Sequence, residues 1–412
     1  MSFDTLVLGG GIVGTSIALH LQKRGRSVVL ADRRAPGEET SFGNAGLVER
    51  SSLHPVAFPR NISTLLKVAT GRYPGANFHW SALPALAPWL FAYWRASAPA
   101  RLEETARLMH QAMAATIDEH RALAREADAE GYFREGGWLK VYRSDEGLEG
   151  ERQEFALARE FGLTAQELSQ AEALALEPHL QPVFRHGVFW SDPRSVSNPG
   201  AVTKAYAGAF ERGGGTVTIA DARTLAQTGK GWRITGPNGA IEARSAVIAL
   251  GAWSLDVLAP LGYRLPLIAK RGYHMHYSSR GNATLTRPVL DEEGGYVITP
   301  MERGIRLTTG AEFARRDAPK TPVQVDKTEA IARTLYTLAE RVDPEPWMGN
   351  RPILPDSRPV IGEAPRHKGL WFAFGHQHLG FTLGPVTGRL LAEMMTGQAP
   401  FIDPAPFSPG RF

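Results

Sequence analysis

Phe3-Asp4-Thr5-Leu6-Val7-Leu8-Gly9-Gly10-Gly11-Ile12-Val13-Gly14 decides how the rest of this chain is read. An apolar run stopped at once by glycines has the signature of a buried strand. Gly9, Gly11 and Gly14 fit G-x-G-x-x-G, and Ile12, Val13, Ile17, Ala18 and Leu21 recur at helical spacing up to Arg24. Residues 27–31 form a second apolar strand that ends at Asp32. Strand, glycine turn, helix, strand and carboxylate predict the first half of a dinucleotide-binding fold. Gly9 permits the sharp turn, Gly11 lets a pyrophosphate approach the backbone, and Gly14 lets helix and strand pack closely. The helix start at Ile12 and Val13 offers unpaired N–H groups and a partial positive charge to the phosphates. Asp32 lies 18 residues past Gly14, close to the ~20 at which an acid reaches a ribose hydroxyl.

The bulk composition narrows the remaining classes. A length of 412 residues provides two or three domains' worth of chain and ample core. With 43% hydrophobic and 21% charged residues the chain reads as soluble and globular. Its net charge is only +4 and no basic run interleaves with aromatics, so nucleic acid is not an expected partner. There is no cysteine, which excludes disulfides, thiolate metal sites and a cysteine nucleophile. The chain enters a core strand at once and holds no apolar run of ~20 residues, so neither a cleavable signal nor a membrane span is expected. These features predict a cytoplasmic protein.

Along the chain, residues 33–46 form a polar loop returning to small residues, with Thr40, Ser41 and Asn44 as hydrogen-bonding groups beside Ala45 and Gly46. Residues 81–98 collect Leu83, Leu86, Trp89, Leu90, Phe91, Tyr93 and Trp94. They read as a core helix, or as an interfacial patch giving peripheral contact with the inner face of a membrane. Residues 101–130 read as helix and 137–142 as a strand; Thr164 with Glu167 predicts a capping box for a following helix. Asn198-Pro199 marks a helix start that runs to the glycines at 213–215. Separate strands are expected near Trp232, near Ile241 and over 246–250, and the last ends at Gly251-Ala252-Trp253. Residues 270–307 alternate like antiparallel sheet, 325–342 read as helix, 370–374 as strand, and 383–395 as a final helix. Glycine-bounded strands at both ends and in the middle imply an α/β class with a discontinuous Rossmann-like domain (1–50, 191–265 and 345–412). Into it is inserted an α+β substrate domain on a largely antiparallel sheet (51–190 and 266–344).

Taken with the opening fingerprint, four further stretches make the chain resemble the FAD-dependent D-amino-acid oxidase and dehydrogenase family, which includes glycine and sarcosine oxidases. They are Ser41-Phe42-Gly43-Asn44-Ala45-Gly46, Ala249-Leu250-Gly251-Ala252-Trp253-Ser254, Arg351-Pro352 with Pro355-Asp356-Ser357, and Gly375-His376 with Leu379-Gly380. The resemblance is nearest to the bacterial D-amino-acid dehydrogenases. It implies FAD, and without a cysteine the flavin has no thioether tether, so a non-covalent cofactor is expected. By the same resemblance Gly9, Gly11 and Gly14 lie at the pyrophosphate, Asp32 at the ribose, and Arg33 and Ala222 at the adenine. Thr40, Ser41, Asn44, Ala45 and Gly46 run beside the flavin, with Gly251 and Trp253 at a second turn. Gly375, His376, Leu379, Gly380, Phe381 and Thr382 fall near the flavin's pyrimidine end, where a helix start stabilises negative charge.

For the substrate side, the resemblance assigns Arg351 to an amino-acid carboxylate. A planar guanidinium matches a carboxylate with two parallel hydrogen bonds and stays charged when buried. Tyr296 resembles the family's pocket tyrosine, and His54, Tyr273 and His274 are further candidates. His274-x-His276 and His376-x-His378 are spaced like metal pairs, but without an accompanying carboxylate or cysteine no metal is expected. The expected reaction is oxidative deamination of a D-amino acid: hydride passes from Cα to flavin N5, and the imine hydrolyses to a 2-oxo acid and ammonia. Oxygen or a membrane quinone then takes the electrons. The alternatives are a secondary-amine oxidase of sarcosine, glycine, opine or hydroxyproline type on the same fold, and a flavin-binding subunit of a larger complex.

Overall fold

The computed structural model describes residues 2–52 and 54–412. The opening run forms the strand Ser2–Leu8, paired in parallel with Val28–Asp32 on one side and Gly239–Ile248 on the other. Thr216–Ile219 extends the sheet beyond Val28–Asp32, and Leu370–Phe374 joins Gly239–Ile248 in parallel. Ile241 and Ala246, expected on separate strands, share the one ten-residue strand Gly239–Ile248. The helix Ile12–Gln22 lies against the last helix, Gly380–Thr396, in one apolar core with Leu30, Val247 and Leu390.

The second sheet is mixed but largely antiparallel and is built around the long strand Ile268–Ser279. That strand pairs with Gly304–Thr309 at one edge and with Trp347–Ile353 at the other. Beyond Gly304–Thr309 follow Tyr296–Met301, Val289–Asp291 and, in parallel, Trp138–Tyr142. A short ribbon of Leu47–Val48, Arg194–Val196 and Phe133–Arg134 lies between the two units.

Several expectations are corrected. No helix starts at Thr164: Ala165–Ser169 is a strand on His186–Trp190, and the helix comes later, Gln170–Leu176, with its capping box made by Ser169 and Glu172. The helix expected over 325–342 is Val323–Leu335, because Leu338–Arg341 turns back to pair with Ile268–Ser279. Trp347–Ile353 belongs to the second sheet although 345–412 was assigned to the first unit. Likewise Met109, Met113 and Leu123, from a region given to the substrate unit, are buried against the first helix. In each case cross-strand or helix packing, set by distant residues, overrides local pattern. Residues 81–98 contain the helix Leu83–Ala96, with Trp89 and Tyr93 buried and Phe91 and Trp94 exposed. Among the described residues no helix is long and apolar enough to cross a membrane.

Candidate active site

Between the two sheets runs one cavity of about 1710 Å³. Its first end is the glycine turn. Gly9 has φ +118°, and a Cβ there would sit 2.3 Å from the Ala249 carbonyl oxygen; one at Gly14 would sit 1.9 Å from the Gly9 carbonyl oxygen. Only glycines let the turn, the helix and the neighbouring strand approach this closely. Gly11 caps the helix without a side chain, and Ser41 Oγ accepts from Ile12 N–H at 2.9 Å. Asp32 accepts from the Gly10 and Arg33 amides at 2.6 Å each, while burial raises its pKa. Arg33 lies 4.3 Å over the Trp253 ring.

Thirteen of the expected cofactor residues border this cavity: Gly9, Gly11, Ile12, Val13, Asp32, Arg33, Thr40, Ser41, Asn44, Ala45, Ala222, Gly251 and Trp253. At its other end it reaches His376, Gly380 and Phe381. Five expected residues sit behind the wall. Gly14 carries the turn, Gly46 packs on Val196 and Met301, and Gly375 faces Leu354. Leu379 joins the apolar core, and Thr382 Oγ1 donates to the Leu47 carbonyl at 3.2 Å. His376 is hydrogen-bonded to Thr387 Oγ1 at 3.0 Å and burial lowers its pKa to about 3, which leaves it neutral.

Arg351 stands at the second-sheet wall. Its Nη1 and Nη2 donate to the carbonyls of Gly310 (2.7 Å) and Thr309 (3.1 Å). The guanidinium lies over Gly272, where a Cβ would come within 2.6 Å of both terminal nitrogens. Burial lowers its pKa to about 10, so it is a cation at neutral pH. Among the described residues no carboxylate pairs with it. Directly across the strand register stands Lys270, which also borders the cavity. It is 5% exposed, and burial followed by repulsion from Arg351 brings its pKa down to about 7. His378 borders the same cations, and burial lowers its pKa to about 3.

The other expected substrate residues fare differently. His54 borders the cavity with Nδ1 3.4 Å from Glu154. Tyr296 and Tyr273 also border it, but their hydroxyls turn to the far face of the sheet: Tyr296 donates to Asp291 and Tyr273 to Glu312, each at 2.9 Å. Alternation along a strand puts these rings opposite to Gly272 and Arg351. His274 is outside the cavity, stacked on Trp347 at 4.8 Å. The missing metal-type carboxylate is present after all, since Asp343 reaches His274 and His276 within 4.8 Å. However, Arg306 Nε donates to His276 Nε2 at 3.0 Å and Asp343 takes the Nδ1 proton at 2.6 Å. A guanidinium therefore occupies the lone pair a metal ion needs. The residues that the sequence reading missed are Lys270, Glu49 and Glu292, all on the cavity wall. Lys270 had no distinctive signal, since it sits in a strand that also carries Arg271, His274 and His276.

A family model described as FAD dependent oxidoreductase matches residues 4–394. The chain belongs to that family. It is 30% identical to a D-amino-acid oxidase of Bradyrhizobium diazoefficiens, with 98% of each chain covered. It is 29% identical to a glycine oxidase of Pseudomonas aeruginosa, with 99% of each covered. Its fold superposes on the crystal structure of a glycine oxidase from Geobacillus kaustophilus with a TM-score of 0.77 at 23% identity, over 99% and 98% of the two chains. The protein is thus an FAD-dependent oxidoreductase, and its cavity fits the cofactor. The bare glycine cradle suits the pyrophosphate, Asp32 the ribose, and the small residues Ala45, Gly251 and Gly380 leave room for a flat ring.

Proposed function

We propose that this flavoenzyme oxidatively deaminates a D-amino acid. One observation carries the reading: a half-buried guanidinium with no carboxylate partner among the described residues, Arg351, faces the cavity that also borders the dinucleotide turn. The lost hydration of such a cation is recovered when a ligand carboxylate supplies two parallel hydrogen bonds. With the carboxylate fixed there, the neighbouring Cα–H is the bond that the site can aim. The bound flavin supplies the acceptor for the hydride leaving Cα. Loss of that hydride and of an amine proton gives an imine, which water converts to a 2-oxo acid and ammonia. Arg351 orients the substrate, Lys270 is placed to hold or release a proton beside it, and the enclosing strands exclude water. The D configuration is supported by the relative named D-amino-acid oxidase. The flavin is held without a covalent bond. Oxygen or a membrane quinone reoxidises it; exposed Ile62, Leu66, Phe91 and Trp94 favour a quinone.

The test is anaerobic mixing of the holoenzyme with D-, L- and N-alkyl amino acids while flavin absorbance is followed. D-amino acids bleach the flavin, and N-alkyl amino acids alone doing so would replace this reading by a secondary-amine oxidase. Arg351→Ala retains flavin and loses about 2–5 kcal/mol of substrate binding, the scale for stranding one partner of a buried pair. An Arg351→Ala enzyme with undiminished kcat/KM removes Arg351 from this role.

A further inference from the structure

Resting on the amino-acid reading above, we infer that the substrate carries a second cationic group: it is a basic amino acid with a terminal ammonium or guanidinium, and Glu292 and Glu49 select it. The cavity that starts at Arg351 and Lys270 has a wall of opposite sign, lined by Glu49, Glu151, Glu154 and Glu292 together with Lys140 and His54. Most of these charges are answered within the protein. Lys140 Nζ holds both oxygens of Glu151 at 2.8 and 2.9 Å, and Glu154 faces His54. Two are not. Glu49 is buried and takes only the Ser52 hydroxyl, and the Glu292 carboxylate has no hydrogen bond or ion pair among the described residues. Burial comes first in raising the pKa of each, with Lys140 opposing it. Glu292 is solvent-accessible, yet the space it opens to is the cavity.

Lys270, 5% exposed, borders the same cavity and has no hydrogen bond or ion pair among the described residues. One continuous space therefore borders a lysine and two carboxylates that lack an ion-pair partner among the described residues.

The sheet register gives the distance between them. The Arg351 guanidinium sits over Thr309 and Gly310, whose carbonyls it binds. Thr309 pairs with Tyr296, and Tyr296 with Asp291, which Glu292 follows directly. Glu292 thus starts two strand spacings from the guanidinium, roughly 10 Å. It also points to the face opposite to the buried Asp291, the face of the cavity. An α-ammonium, one bond from Cα, does not reach that far from a carboxylate fixed on Arg351. A terminal cation on a side chain of three or four methylenes does. Gly75 packs against Gly295 and Gly310, and Tyr73 on the same segment borders the cavity.

The experiment compares flavin reduction by both enantiomers of lysine and ornithine with that by norleucine, which keeps the chain length and lacks the charge. The holoenzyme prefers lysine or ornithine over norleucine by at least 30-fold in kcat/KM. Glu292→Gln and Glu49→Gln each reduce that ratio at least 10-fold, through KM rather than kcat, with the flavin spectrum and content as a check on folding. Glu292→Lys shifts preference toward 2-aminoadipate, whose side chain ends in a carboxylate. Norleucine reduced as efficiently as lysine, or a ratio unmoved in all three variants, overturns this inference while the amino-acid reading stands. Reduction by none of these compounds, nor by any other amino acid, overturns the parent reading instead.

Discussion

The role proposed for Arg351 depends on what is missing beside it. Gly272 presents no side chain, and the guanidinium lies flat across the gap to reach the Thr309 and Gly310 carbonyls. Gly272→Ala forces the guanidinium aside at the overpacking scale of about 1–3 kcal/mol. Substrate binding should weaken roughly ten- to hundredfold, tenfold per 1.4 kcal/mol. Flavin content should stay unchanged; steady-state KM and the flavin spectrum check both. Lys270 adds a pH dependence whose sign follows from its pKa of about 7. Below that pH it is a second cation beside Arg351, and above it a neutral amine. A simple carboxylate such as acetate should therefore bind more weakly as pH rises through 7, with proton uptake on binding, because the bound anion restores the charged lysine. Lys270→Met should flatten that slope in an acetate titration followed by flavin absorbance. The same shift places the native pKa below the unfolded ~10.4, so the folded state binds fewer protons between them, and stability gains as pH rises across that window.

Two helices fix the cofactor end. Gly384 and Gly388 of Gly380–Thr396 let it approach Ile12–Gln22 so closely that a Cβ on Gly388 would lie 2.7 Å from the Ser16 carbonyl carbon. Gly388→Val should separate the helices, cost about 1–3 kcal/mol of stability, and tilt the helix start at the glycine turn. Denaturant midpoints and flavin retention on a desalting column measure the two effects; unchanged values in both would remove this crossing from cofactor binding. The contrast between what was and was not legible in the sequence runs along the same line. The opening turn was legible because all its partners, Gly9, Gly14 and Asp32, are close in the chain and their spacing is their geometry. Arg351 was legible through a short motif. Glu292 and Lys270 were not, because their meeting depends on the register of several strands drawn from 138 to 353. Tyr296 and Tyr273 were read into the pocket because the chain does not reveal which face of a strand carries the cavity. Over 325–342 a helical reading, and at Thr164 a capping-box pattern, lost to strand pairing with distant partners, a tertiary override of local pattern.

At the scale of the whole molecule, one cavity joins the two sheets, and the loop after the first two strands also reaches the second sheet directly: Arg306 donates to the Phe42 and Asn44 carbonyls and Thr299 to that of Ala45. Asp32 and the glycine turn belong to the first sheet, whereas Lys270 and Arg351 belong to the second, and all line one cavity. A ligand that spans both binds the assembled molecule and not the unfolded chain, so it stabilises by mass action, about 2.7 kcal/mol at a hundredfold excess over Kd. Stripping the flavin should lower the thermal midpoint by a few degrees, and adding FAD back should restore it. Because the chain has no cysteine and His376 is committed to Thr387, acid precipitation should leave the flavin in the supernatant and the pellet colourless. A yellow pellet would mean a covalent tether and overturn the non-covalent assignment. Acetate, gripped by Arg351 on the second sheet, should raise the midpoint of the holoenzyme further. With Arg351→Ala that extra rise should vanish while the rise from FAD remains. Loss of both rises together would mean that Arg351 holds the two units together rather than the substrate.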